Sequence, residues 1–173
     1  MPLVTGDIGF PCPSQLIAPK GAAISYQLTP RLEAFLVEAE GERLTAYKDV
    51  AGIWTIGVGH AGLEVKPGMT ISRVESRRLL AQDVQSVAQA VASGIDVPLG
   101  GPQFDALVAL VFNIGSGNFR TSTVRRVINE LKFDAVPAAW RLWNKVTIDG
   151  QKLVSQGLAN RREAELLLWN SVV

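Results

Sequence analysis

The spacing of the hydrophobic residues changes abruptly at Gly41. Before this glycine, PRLEAFLVEAE places apolar side chains three and four positions apart, as one face of an α-helix requires, at Leu32, Phe35, Leu36 and Ala39. Thr29 can cap such a helix and Pro30 suits its first position, so we expect the helix to end at Glu40. The next segment, LTAYKDVAGIWTIGVGH, is rich in β-branched and aromatic residues and has a glycine-containing break at DVAG. This pattern is typical of a β-hairpin, and a helix leading directly into a small antiparallel sheet indicates the α+β class.

The rest of the chain is predominantly helical. Residues 72–94 form one long candidate helix, ended by Gly94 and Pro98, with an apolar stripe at Val74, Leu80, Val84, Val87 and Val91. The segment GPQFDALVALVFNIGSG has the pattern of a core helix, and TSTVRRVINELKF, VPAAWRLWNKV and ANRREAELLLW follow it as further helices. TIDGQKLVSQG is expected to be a loop, a turn or a short hairpin. We therefore expect a first lobe at 29–71 with the small sheet, a linking helix at 72–94 and a helical lobe at 95–173.

The first 28 residues are rich in glycine and proline and show no period, so they read as an extension that wraps on the domain or trails from it. They lack the basic start and apolar core of a secretion signal, and no run approaches the roughly 20 apolar residues of a membrane span. Cys12 is the single cysteine. It cannot form an internal disulfide and has no catalytic partner nearby in sequence, so we expect a thiol without a catalytic role. We also expect the chain to be made and folded in a cytoplasm.

Charge is unevenly distributed along the chain. Residues 1–119 hold 8 Lys/Arg and 11 Asp/Glu, a net of −3, whereas residues 120–173 hold 9 and 5, a net of +4. This asymmetry suits a cleft with carboxylates on one wall and an anion-attracting opposite wall. A chance imbalance of surface charge explains the asymmetry equally well.

Three side chains between residues 40 and 55 have the chemistry that glycoside hydrolysis needs. Glu40, at the edge of an apolar helix, suits a protonated acid, and Asp49, in a turn beside Lys48, suits an ionised carboxylate. Thr55, on the returning strand, offers a hydroxyl that can hold a water molecule. A hairpin folded back on the helix end brings the three around one cleft, but acids at helix ends and turns are common.

This segment resembles the catalytic signature of the phage-type lysozymes, the endolysins of glycoside hydrolase family 24. The matching residues are Glu40-Gly41, Tyr47-Lys48-Asp49 and TIGVGH at 55–60. QFDALVALVFNIGSGNF and ANRREAELLLW resemble the core helix and the arginine-rich C-terminal segment of the family, so the similarity covers residues 29–173. The resemblance implies a lysozyme-like fold of two lobes with the active-site cleft between them.

The same resemblance implies the reaction. The substrate is peptidoglycan, cut at the β-1,4 bond between N-acetylmuramic acid and N-acetylglucosamine, with Glu40 as proton donor and a water activated by Asp49 and Thr55. That arrangement predicts inversion, with carboxyl groups about 6.5–9.5 Å apart. No metal or cofactor is implied. The resemblance also implies an enzyme that waits in the host cytoplasm until a holin-type pore releases it to the periplasm and cell wall. We expect a monomer without a transmembrane segment or nucleic-acid partner.

Several other residues are candidates for the site or for the core. His60, the only histidine, is a catalytic base or, as the family suggests, a structural residue that hydrogen-bonds a carboxylate and ties the sheet to a helix. Gln103 resembles a substrate-contacting amide of the family, and Trp143 resembles an aromatic near its cleft, although Trp143 suits the core equally. Arg161, with Arg162, binds a substrate carboxylate or belongs to a solvated helix face paired with Glu163 and Glu165. Trp140 fits the core, and Trp54 is expected on the strand face opposite Thr55.

Two alternatives to a hydrolase remain open at this point. A lytic transglycosylase uses a single acid and an internal hydroxyl of the sugar instead of water, and Asp49 and Thr55 argue against it because that chemistry needs no second carboxylate. A non-catalytic glycan-binding or virion structural protein can keep an inactive lysozyme fold, but it has no need to retain all three residues.

Overall fold

The computed structural model describes residues 24–49, 51–148 and 150–171. In that part of the chain, helices dominate and two short antiparallel hairpins interrupt them. The elements in chain order are α1 (Pro30–Glu40), β1 (Arg43–Lys48), β2 (Trp54–Gly57), α2 (Arg73–Gly94), α3 (Gly101–Ile114), α4 (Ser116–Arg120), α5 (Thr123–Asn129), a 3₁₀ turn (Phe133–Ala135), α6 (Val136–Arg141), β3 (Lys145–Ile148), β4 (Gln151–Val154) and α7 (Gln156–Trp169).

Helix α1 begins and ends at the residues predicted from the sequence. Thr29 Oγ1 accepts a hydrogen bond from Leu32 N at 3.1 Å and so caps the helix. At the other end Gly41 has φ +76°, a conformation that glycine adopts without the steric cost of a Cβ atom, and its N–H donates to the Val37 carbonyl at 3.0 Å. The helix therefore stops directly after Glu40, and the chain turns into β1.

The first hairpin packs on its own small apolar cluster. Strands β1 and β2 pair antiparallel, with Tyr47 opposite Thr55 and Lys48 opposite Trp54. Buried Ile56 from β2 meets Leu79 from α2 in this cluster, whereas the later part of α2 packs in the main core. The long helix thus contacts the hairpin near its start and the helical core along the rest of its length.

The main core forms around α3. Residues 105 to 111 of this helix are all buried, so α3 is covered on every side instead of presenting one stripe. On α2 the prediction for Val74 was wrong: its side chain is 81% exposed. In the first turns of α2 the buried residues are Ser76 and Leu79, which face the hairpin cluster, and Val74 points away from it.

The C-terminal segment contains the short hairpin that the sequence allowed at TIDGQKLVSQG, formed by β3 and β4. Helix α6 is shorter than predicted and ends at Arg141, and the five-residue α4 was not predicted. The α+β, predominantly helical fold class is confirmed.

The described end of the N-terminal extension packs on the helices. Ile24 is buried, and its backbone N–H and carbonyl contact the amide side chains of Gln89 and Gln85 on α2. Asp105, a buried acid on α3, accepts hydrogen bonds from Tyr26 and Thr29. The expectations for Cys12 and for residues 1–23 lie outside the described residues. None of the helices in the described part of the chain is long and apolar enough to cross a membrane.

Candidate active site

Glu40 is held by a cation at the end of α1. Its Oε1 lies 2.7 Å from Nη1 of Arg161 on α7, and the two side chains are 24% and 10% exposed. The carboxyl group therefore keeps contact with solvent while one of its oxygens is fixed. An acid that must exchange protons with a bound molecule needs this combination of access and fixed orientation.

Asp49 closes the turn between β1 and β2. Its Oδ1 accepts hydrogen bonds from Ala51 N at 2.9 Å and Ile53 N at 2.8 Å, as an aspartate does when it mimics a backbone turn. Its Oδ2 has no hydrogen-bond partner within residues 24–49, 51–148 and 150–171. One oxygen thus shapes the loop, and the other is available as an acceptor.

Thr55 lies on β2 with its side chain directed inward. The residue is only 4% exposed, and its Oγ1 donates to the Ile53 carbonyl at 3.2 Å. The same carbonyl accepts the Asp49 backbone N–H at 2.9 Å. Because the Thr55 hydroxyl proton is engaged in this way, its oxygen can only accept from a further molecule.

A buried charge network stands behind Arg161. Glu165 and Arg162, both on α7, are fully buried, and Glu165 Oε1 accepts from Arg161 Nε at 3.1 Å and from Arg162 Nη2 at 3.0 Å. The second oxygen, Oε2, accepts from the indole N–H of Trp140 at 2.8 Å. Burial raises the pKa of Glu165, against the opposing effect of Arg162, Trp140 and Arg161. Burial likewise lowers the pKa of Arg162, although a guanidinium remains protonated in proteins.

Both readings of Arg162 were therefore wrong. Its side chain is fully buried, so it neither faces substrate nor belongs to a solvated helix face. The predicted pairing of Arg161 with Glu165 does form, but it does so in the interior. Glu163 is the exposed acid of this segment and pairs with Arg141 at 2.6 Å.

His60 bridges two carboxylates. Its Nδ1 lies 2.8 Å from Asp83 Oδ2 on α2, and its Nε2 lies 2.8 Å from Glu64 Oε1. Burial alone lowers the pKa of His60, but the hydrogen bonds to Asp83 and Glu64 outweigh it, so the pKa is raised. The ring therefore ties the end of the first hairpin to α2, and both nitrogens are occupied.

Gln103 is not brought to Glu40. Its amide oxygen accepts the Gly100 N–H at 2.9 Å and so caps its own helix. Gln103 lies two residues from Asp105, which contacts Thr29 at the beginning of α1. Glu40 is at the other end of α1, about 15 Å further along the helix axis at about 1.5 Å per residue.

The amide that reaches the charge network is Asn113, near the end of α3. Its Oδ1 accepts from Arg162 Nη2 at 2.8 Å, and the residue itself is exposed. Sequence reasoning missed it because nothing in the local pattern separates one amide on an apolar helix from another. Only the contact with α7, 49 positions away, identifies it.

The tryptophans divide between core and surface. Trp140 is fully buried, as expected, and packs edge-to-face against Trp169, with 5.4 Å between the ring centroids. Trp143 is half-buried and packs against the main core. Trp54 is half-buried beside Lys48, whose amine lies 5.5 Å from the ring centroid.

The three residues thus offer a cation-held carboxyl group, a carboxylate whose Oδ2 has no partner among the described residues, and a hydroxyl limited to accepting. Two carboxyl groups of this kind can act as proton donor and base on an acetal bond. Among the described residues, no cluster of three or more His, Cys, Asp or Glu side chains could hold a metal ion.

Comparison with known proteins gives concordant results. The family model described as phage lysozyme matches residues 37–165. The endolysin of Salmonella phage P22 is 44% identical over 137 residues, which are 77% of this chain and 92% of that protein.

Comparison with solved structures agrees with the sequence comparisons. The endolysin from Escherichia coli O157:H7 phage FAHEc1 superposes with a TM-score of 0.80 at 35% identity, covering 88% of this chain and 98% of that one. The muramidase domain of SpmX from Asticaccaulis excentricus gives a TM-score of 0.80 at 30% identity, covering 86% of this chain and 100% of that one.

Proposed function

Because the chain belongs to the phage lysozyme family and is a muramidase of the endolysin type, we propose that Glu40, Asp49 and Thr55 are its catalytic residues. They hydrolyse the β-1,4 bond between N-acetylmuramic acid and N-acetylglucosamine in peptidoglycan. The observation that supports this assignment best is the shared Ile53 carbonyl, which fixes the Asp49 turn and the Thr55 hydroxyl relative to each other.

Glu40 is the proton donor in this proposal. Its carboxyl group protonates the glycosidic oxygen as the bond to the anomeric carbon breaks, and the resulting carboxylate stays paired with Arg161. The ion pair stabilises the charge that develops on Glu40 during this step, since an opposite charge nearby favours the ionised form. General acid catalysis of this kind contributes typically about 10²–10⁴-fold to the rate.

Asp49 and Thr55 prepare the attacking water. The water donates one O–H to Oδ2 of Asp49 and the other to the Thr55 oxygen, while the Thr55 hydroxyl itself donates to the Ile53 carbonyl. Asp49 takes up the proton as the water oxygen bonds to the anomeric carbon. Attack from the face opposite the leaving group inverts the configuration, and the family of inverting enzymes needs carboxyl groups about 6.5–9.5 Å apart.

The remaining assignments follow from the same family membership. We propose that Trp143 and Arg161 border the substrate, that His60 has a structural role, and that residues 29–71 and 95–173 form two lobes joined by the helix at 72–94. We also propose that the enzyme is a monomer, stays in the host cytoplasm and reaches the cell wall through a holin-type pore.

The decisive experiment is the release of dye from labelled, purified peptidoglycan by wild type and by Glu40→Gln. We expect wild type to release dye and Glu40→Gln to lose at least about 100-fold of the rate, because the amide cannot donate the proton. Glu38→Gln, an exposed position on the same helix, is the matched control and should match wild type. Binding of wild type to the wall without release would instead favour a non-catalytic glycan-binding protein.

A further inference from the structure

Glu165 is a buried acid that the proposed reaction does not use. In the described part of the chain it accepts three hydrogen bonds, one each from Arg161, Arg162 and Trp140. Arginine and tryptophan side chains are donors only, so a protonated Glu165 would direct its O–H toward groups that cannot accept it. These three donors therefore favour the carboxylate and oppose burial, which raises the pKa of Glu165.

The two arginines would make a poor environment for a proton donor if they were alone. Arg161 contacts Glu40 directly, and Arg162 is the next residue on the same helix. A cation beside an acid favours the ionised form, whereas a general acid must hold its proton near the working pH. We use the name α7 charge cluster for Glu40, Arg161, Arg162 and Glu165. Within it, the carboxylate of Glu165 offsets the effect of the two arginines.

Counting charges shows the size of the offset. When Glu40 is ionised, the α7 charge cluster has two cations and two anions and is neutral. When Glu40 is protonated, it has a net charge of +1, and without Glu165 that value would be +2. The nearby acid Glu42 is already paired, at 2.9 Å, with Arg77 of α2. Asn113 and Trp140, which contact the cluster from α3 and α6, are uncharged.

We propose that Glu165 is a positioning residue for the reaction: it holds Arg161 against Glu40 and offsets the positive charge beside that acid. The hydrogen bond from Arg161 Nε fixes the guanidinium so that Nη1 reaches Glu40. The negative charge of Glu165 reduces the net positive charge next to the proposed acid, as a proton donor requires. This inference rests on the proposed role of Glu40 as the acid.

The test is the pH profile of kcat/KM for Glu165→Gln on dye-labelled, solubilised peptidoglycan. Glutamine keeps the shape and one oxygen acceptor but removes the charge. The alkaline limb of the profile, where the enzyme loses its acid, should move toward lower pH by about one unit. Glu163→Gln removes an equal charge two residues away on the exposed side of α7, and its limb should stay in place.

A uniform loss of activity at every pH, with the limb of Glu165→Gln unmoved, would overturn the proposal because it would indicate a merely structural role. A second measurement is independent of whether the variant folds. In wild type labelled with ¹³C at glutamate carboxyl groups, the Glu165 signal should keep the chemical shift of an ionised carboxylate from about pH 6 to 8, and the shift of a protonated carboxyl group would overturn the proposal. A titration step of Glu165 in that interval would also overturn the proposal. Absence of muramidase activity in wild type would refute the proposed function and leave this titration readable.

Discussion

Asp49 and Thr55 hydrogen-bond to the same carbonyl oxygen, that of Ile53. The Asp49 backbone N–H donates to it at 2.9 Å and the Thr55 hydroxyl at 3.2 Å. The Asp49 carboxylate in turn accepts the Ile53 N–H, so the turn is closed from both sides. The position of the proposed base relative to the hydroxyl is therefore set within seven residues of chain and does not depend on distant packing.

Replacing Asp49 separates its two functions. Asp49→Asn keeps an oxygen for the Ala51 and Ile53 N–H groups, so stability should change little while kcat falls at least about 100-fold. Asp49→Ala removes the turn contacts as well and should cost about a further 1 kcal/mol in the free energy of unfolding. Steady-state kinetics and urea denaturation of both variants provide the check. Near-normal activity of Asp49→Asn would contradict the assignment of the base.

Thr55 is tested by a pair of variants that differ in the hydroxyl. Thr55→Ser retains the donor to Ile53 and the acceptor for water, and we expect it to keep most of the activity. Thr55→Val has nearly the same shape but no hydroxyl, and it should lose at least about tenfold in kcat because the water loses one acceptor. Equal rates for the two variants would mean that the hydroxyl does not hold the water.

Gly41 fixes the direction in which the chain leaves Glu40. Its φ of +76° disfavours any residue with a Cβ, although the space around that position is open. Gly41→Ala should therefore lower the free energy of unfolding by about 1–2 kcal/mol through backbone strain alone. Gly117→Ala, also in open space but without a positive φ, is the control and should be neutral or slightly stabilising. Similar losses for both variants would argue against strain as the cause.

His60 makes stability depend on pH in a direction that can be worked out. Its pKa is raised above the ordinary 6.5, so its contribution is complete below 6.5 and is lost as pH rises through the folded value. The pKa of Glu64 is lowered below 4.5 by hydrogen bonds from the backbone N–H of Glu64 and from His60. The contribution of Glu64 to stability is therefore complete above pH 4.5 and is lost as pH falls through the folded pKa. The contact between His60 and Glu64 therefore stabilises the fold most between pH 4.5 and pH 6.5.

We therefore expect His60→Gln to lose more stability at about pH 5.5 than at about pH 8.5, because the charged ring is present only at the lower value. Urea denaturation at the two pH values measures the difference. Glu64→Gln, at an exposed position, should show a smaller loss. An equal loss for His60→Gln at both pH values would show that the ring acts only as a neutral hydrogen-bonding group.

The elements around the proposed catalytic residues could be predicted because their causes are local. Thr29, Pro30 and Gly41 determine where α1 begins and ends, and the β-hairpin follows from the residue types between 43 and 57. A cap, a glycine and an alternating pattern act within a few residues, so they can be read directly from the chain.

The support behind Glu40 could not be predicted because its contacts join distant segments. Trp140 meets Glu165 across 25 positions, and Arg162 meets Asn113 across 49. An arginine-rich helix face with interspersed acids usually indicates solvent exposure, and only the packing of α7 against α3 and α6 buries this one. Val74 shows the converse error, since an apolar residue at helical spacing stays exposed when it lies on the side of the helix that faces away from the neighbouring element.

The most direct test of the central claim is the chemical form of the product. Wild-type enzyme acting on purified peptidoglycan should release fragments that end in a reducing N-acetylmuramic acid, one water molecule heavier than the 1,6-anhydro form, as mass spectrometry can show. Proton NMR at early times should show the α-anomer first, as inversion at a β-linkage requires. Anhydro products would contradict water activation by Asp49 and Thr55, and an initial β-anomer would contradict direct displacement by water.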